Sequence, residues 1–174
     1  VVCRSIQTSG SHAATSARAS NITATTPALA EGNAGSTPFV FTISRSGALV
    51  GGVTVGWSAT AGLANSVNAA DFVGGVVPQG TVSFAAGQTS QTITLNVAGD
   101  TLAEADEQFR VVLSHPASTV SGTTATIQTG SASATILNDD TSFAVASLTG
   151  RHGEGNAGAT PFVFAVTRNG DTSG

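Results

Sequence analysis

The chain has 174 residues, with ten Asp or Glu, six Arg and no Lys, so only 9% of its side chains carry charge. Six scattered Arg and a net charge of -4 argue against a nucleic-acid binder, which needs a clustered basic face, and 40% hydrophobic residues argue against a disordered chain. Ala, Gly, Ser and Thr supply 94 of the 174 positions, no apolar run approaches the roughly 18 residues of a membrane span, and the single Cys3 makes no internal disulfide.

Apolar residues recur at every second position, the period of a half-buried strand. A short first strand is expected near Ile22, then Phe39, Phe41 and Ile43 share one face. Val53, Val55 and Trp57 follow, then Val82 and Phe84, and then Ile93, Leu95 and Val97. Phe109, Val111 and Leu113 form the sixth run, and Ala134 and Ile136 the seventh. Turns are expected at Ser46-Gly47, Gly74-Gly75, Ala86-Gly87 and Ser121-Gly122, and no segment keeps a helical period. The expected fold is all-β: a seven-stranded antiparallel β-sandwich, immunoglobulin-like with Greek-key connections. Trp57 and the phenylalanines are read as core.

EGNAGSTPFVFTISRSG, Glu31 to Gly47, returns as EGNAGATPFVFAVTRNG, Glu154 to Gly170, with 12 of 17 positions identical. The offset of 123 residues is the size of a sandwich domain. Residues 21–140 are therefore read as one complete unit and 141–174 as the first strands of a second. Residues 1–20 are read as the tail of a preceding unit or a linker.

Eight of the ten acids fall within the complete unit, and all eight follow odd-numbered strands. Glu31 follows the first, Asp71 the third, Asp100, Glu104, Asp106 and Glu107 the fifth, and Asp139-Asp140 the seventh. If successive strands alternate in direction, these connections share one tip, while the opposite tip carries no acid. A preference of acids for loops explains their absence from strands but not their absence from half of the loops. Hard oxygen ligands without His or Cys select Ca²⁺ over transition metals.

These residues resemble the Calx-β domain family. The marks are Glu31-Gly32, Asp71-Phe72, TVSFAAGQTSQTITLNV from Thr81 to Val97, and Asp100-x-x-x-Glu104-x-Asp106-Glu107-x-Phe109. Leu113-Ser114-His115-Pro116 and Ala134-Thr135-Ile136-Leu137-Asn138-Asp139-Asp140 complete them. The resemblance implies Glu31, Asp71, Asp100, Glu104, Glu107, Asp139 and Asp140 as metal ligands, with Asp106 facing away or capping the loop. Gly99, where many members carry Asp, and Asn138, at the head of the closing acidic run, depart from the pattern. One or two Ca²⁺ per complete unit are expected, with an affinity suited to a millimolar extracellular pool.

Two functions are open. One is a calcium-stiffened structural or adhesion module of a large extracellular or cell-surface repeat protein, of a bacterial kind. The other is a self-assembling filament or sheath subunit in which the partial unit completes a neighbouring copy by strand addition. Both make neighbouring units or copies of the chain the partners, with no membrane insertion. Two strands alone are marginal in water, so Phe162, Val163 and Phe164 need a cover. No enzyme is expected: His12, His115 and His152 sit in no nucleophile context, and the paired carboxylates lack an aromatic sugar platform.

Overall fold

The computed structural model of the chain describes residues 18–62 and 65–170. The readings placed on Cys3, on His12, on Asp171 and on most of the 1–20 segment lie outside these residues. Among the described residues there is no helix, and so none long and apolar enough to cross a membrane. The chain forms two facing sheets and a separate hairpin.

Every expected apolar run forms a strand, and the described residues hold eleven: nine up to Leu137, where seven were expected, and two more from Thr141 onward. The two additional strands of the sandwich arise because the first and last runs each divide between the sheets. β1 (Arg18–Ala24) pairs with β3 (Ser36–Ser46) in one sheet, whereas β2 (Ala28–Ala30) pairs with β9 (Ser131–Leu137) in the other. The crossing falls at Thr25-Thr26-Pro27, where proline has no N–H to give a ladder; its carbonyl instead accepts the Thr135 N–H at 2.9 Å. The last run switches at Gly130, between β8 (Ala125–Thr129) and β9. β1/β8 and β2/β9 are parallel pairs, a correction to the all-antiparallel expectation. Both runs are odd-numbered and so point the same way when they meet at an edge.

The remaining strands are β4 (Val53–Ala61), β5 (Gln79–Phe84), β6 (Ser90–Ala98) and β7 (Glu107–Ser118). The sheet orders are β6-β3-β1-β8 and β2-β9-β7-β4-β5. β7 continues through His115-Pro116 to Ser118. His115 takes a positive φ of 45° where the β4/β7 register shifts, which marks a bulge.

The period-2 residues of both sheets meet in one core. Phe39, Phe41, Ile43, Leu95 and Val97 are fully buried against Val53, Val55, Phe109 and Val111. Each large apolar side chain buried in this way contributes about 1.5–3 kcal/mol. Phe109 is the hub, its ring lying edge-on to Phe39, Phe41 and Phe72 at centroid distances of 5.4, 5.9 and 5.6 Å. Phe72 comes from the β4–β5 connection and so ties its neighbour Asp71 to the core. Trp57 is only half-buried; it packs against the core rim with its indole over Gly80.

β10 (Thr141–Ser147) and β11 (Phe164–Gly170) form the hairpin. Adding 123 to β1 gives β10, residue for residue. The pairings Ala19↔Ser46 and Ala24↔Phe41 return as Ser142↔Asn169 and Ser147↔Phe164. The hairpin thus repeats the β1/β3 pairing, in the same register, 123 residues further along the chain. Its apolar residues are uncovered: Phe164 is 57% exposed, although its counterpart Phe41 is fully buried.

Candidate metal centre

Four connections place carboxylates at one tip of the sandwich. Glu31 follows β2, Asp71 lies between β4 and β5, Asp100 and Glu104 lie between β6 and β7, Glu107 opens β7, and Asp139-Asp140 follow β9. Asp71 is drawn in by backbone pairing: its carbonyl accepts the Ala98 N–H at 2.9 Å, and Val73 N–H donates to Asn96 O at 3.0 Å, so the loop runs along the outer edge of β6.

The seven predicted ligands divide into two groups of three, with one residue in neither. Glu31, Asp139 and Asp140 each offer an oxygen within 4.8 Å of the others, and so do Asp71, Glu104 and Glu107. Two oxygens on one Ca²⁺, each about 2.4 Å from the ion, lie at most about 4.8 Å apart, so either group can share an ion. Asp100 falls in neither group among the described residues, but its charge reaches Glu31, Glu104 and Asp140. Asp106 also stands aside; its carboxylate caps the backbone by accepting the Asn138 N–H at 3.0 Å.

The electrostatics report crowding. Burial, with the nearby charges of Asp100, Glu104, Asp139 and Asp140, pushes the Glu31 carboxyl up to about 7. Glu107 also rises to about 7, through burial and then the charge and hydrogen bond of Asp71. Glu104 and Asp140 are raised for the same two reasons, burial first and neighbouring carboxylates second. Asp140 is only 4% exposed, and its Oδ2 is buried without a hydrogen-bond partner. An orphaned anionic oxygen among carboxylates is costly unless a cation meets it. The residues present therefore fit a hard divalent cation, and neither group contains His or Cys.

Neutral groups hold this arrangement. Gly32 N–H donates to Asp139 Oδ1 at 3.2 Å, Asn33 Nδ2 donates to Asp140 Oδ1 at 2.9 Å, and the Thr37 hydroxyl donates to Glu31 O at 2.6 Å. Sequence reasoning missed Asn33 and the bonding of Asn138. The signal for Asn33 was its return as Asn156 within the repeated EGNAG.

The glycine departure has a steric cause. A Cβ on Gly99 would stand 2.1 Å from Gly32 O and 2.9 Å from Glu31 O. The β2–β3 connection thus occupies the space an aspartate side chain would need. Gly99→Asp is expected to lower stability by about 1–3 kcal/mol in chemical denaturation without tightening calcium binding, because the loop bearing Glu31 must move away.

The Calx-beta domain family matches residues 21–140. Among solved structures, the chain is similar to the apo form of the Calx CBD1 domain, with 23% identity, a TM-score of 0.56, and coverage of 71% of this chain and 98% of that one. It is similar to CBD12 from CALX1.2, at 23% identity and TM-score 0.55, covering 74% of this chain and 49% of that one. It also resembles the calcium binding domain CBD12 of CALX1.1, at 24% identity and TM-score 0.52, covering 71% and 47%. The chain thus spans about half of the two longer structures. A comparison with curated proteins gives no match. The two-sheet architecture and the match over residues 21–140 place the chain in the Calx-beta domain family.

Proposed function

We propose that residues 21–140 form a Ca²⁺-binding module, not an enzyme, in an extracellular or cell-surface repeat protein. One or two ions are held by Glu31, Asp71, Asp100, Glu104, Glu107, Asp139 and Asp140. The observation that carries this reading is the buried, unpartnered Oδ2 of Asp140 within the carboxylate tip. A structural relative described as a calcium binding domain supports it. Calcium supplies positive charge; the carboxylates orient around it, and Asn33 and Gly32 hold Asp140 and Asp139 in place. Asp140 leads directly into Thr141, the first residue of β10, so an ion there fixes the direction in which the chain leaves the sandwich. In a string of such units, calcium stiffens each junction. Calorimetric titration of the full chain with CaCl₂ tests the reading; absence of binding heat together with an EDTA-insensitive melting temperature refutes it.

The uncovered hairpin favours a second reading, a filament or sheath subunit. Phe143, Val145, Phe164 and Val166 are more than half exposed, and a neighbouring copy that added strands to β10/β11 would cover them. Sedimentation velocity separates the two: a monomer independent of concentration excludes the assembly.

A further inference from the structure

We propose that Asn138 is a positioning residue that locks the two carboxylate groups to each other before any ion arrives, an inference that rests on the calcium reading above. Asn138 stands at the head of the closing acidic run, carries no charge, and belongs to neither group. Its side chain bonds to both. Oδ1 accepts the Glu104 N–H at 3.1 Å and the Asp140 N–H at 3.4 Å, and Nδ2 donates to Asp140 O at 3.0 Å. Glu104 belongs to one carboxylate group and Asp140 to the other. Asn138 also uses its own N–H, which donates to Asp106 Oδ1 at 3.0 Å. The β6–β7 connection, without regular structure from Thr101 to Asp106, is therefore tied to the closing run through both Glu104 and Asp106.

Only an amide meets all of these demands at once. An Asp at this position keeps the acceptor for Glu104 and loses the donor to Asp140 O, while adding another negative charge to a crowded tip. An Ala loses both acceptor and donor. The neutral Asn thus supplies fixed geometry where the cluster least tolerates more charge. It lies three residues before β10, so the bonds that hold the groups together also hold the exit of the chain.

The test uses the full chain and two variants, Asn138→Ala and Asn138→Asp. Amide hydrogen exchange in EDTA reads the lock without metal. In Asn138→Ala, Glu104 and Asp140 N–H are expected to exchange about tenfold faster or more, while Phe109 and Val111 N–H in β7 are unchanged. Asn138→Asp is expected to restore protection at Glu104. In CaCl₂ titrations, Asn138→Ala is expected to bind about 10- to 100-fold more weakly, the usual scale for groups that orient ligands. Wild-type exchange rates at Glu104 and Asp140 in the Ala variant overturn the proposal, as does a calcium affinity within twofold of wild type. A wild-type chain that takes up no calcium refutes the proposed function instead, and the exchange rates then decide the lock alone.

Discussion

Adding Ca²⁺ at a hundredfold excess over its Kd to the metal-free chain at pH 7.5 is expected to raise its melting temperature by roughly 10 °C. Binding to the folded state alone contributes about 2.7 kcal/mol at a hundredfold excess over Kd, and each kcal/mol moves the midpoint of a domain this size by a few degrees. The pH dependence gives this prediction a sign that ordinary ligand binding lacks. Glu31 and Glu107 have carboxyl pKa values near 7 in the fold, against 4.5 normally. Between those values the metal-free fold keeps protons that the unfolded chain has released. The stability from these groups is fully present below pH 4.5 and is lost as pH rises through about 7. Metal-free protein is therefore expected to melt higher at pH 5 than at pH 8, and the calcium-induced rise is expected to grow over the same interval. Ion binding near pH 6 is expected to release protons, seen as a dependence of the calorimetric heat on buffer ionisation enthalpy. A metal-free melting temperature that climbs steadily from pH 5 to pH 8 contradicts the crowded tip.

The second large effect compares two phenylalanines in nearly the same sequence. Phe41→Ala is expected to cost about 3–5 kcal/mol in urea or thermal unfolding, since the ring is fully buried and packs edge-on to Phe109. Phe164→Ala, one repeat later, is expected to change the stability of the sandwich by less than about 0.5 kcal/mol, because Phe164 lies on the uncovered hairpin. The same pair tests the filament reading. If Phe164→Ala also destabilises, and does so only at high protein concentration, a neighbouring copy covers the hairpin.

Counting along the chain is enough to say which residues of a strand share a face and which tip carries the acids. A period of two states the face of a strand, and strand parity states which connections share an end; neither rule needs coordinates. Parity grouped Glu31 with Asp139 across more than a hundred residues, and their carboxylate oxygens do lie within 4.8 Å of each other in the fold. The division of the acids into two groups with Asp100 in neither, and the buried oxygen of Asp140 that has no partner, emerge only when the chain is folded. So do the bonds by which Asn138 and Asn33 hold the site, the lack of room for a side chain at Gly99, and the splitting of the first and last runs between two sheets. These depend on which backbone segments approach within a few ångströms, and a local pattern carries no such distance. The repeated EGNAG segments show the same limit: near-identical residues pair in the same register, yet one Phe is buried and the other is not, because burial is set by the opposite sheet.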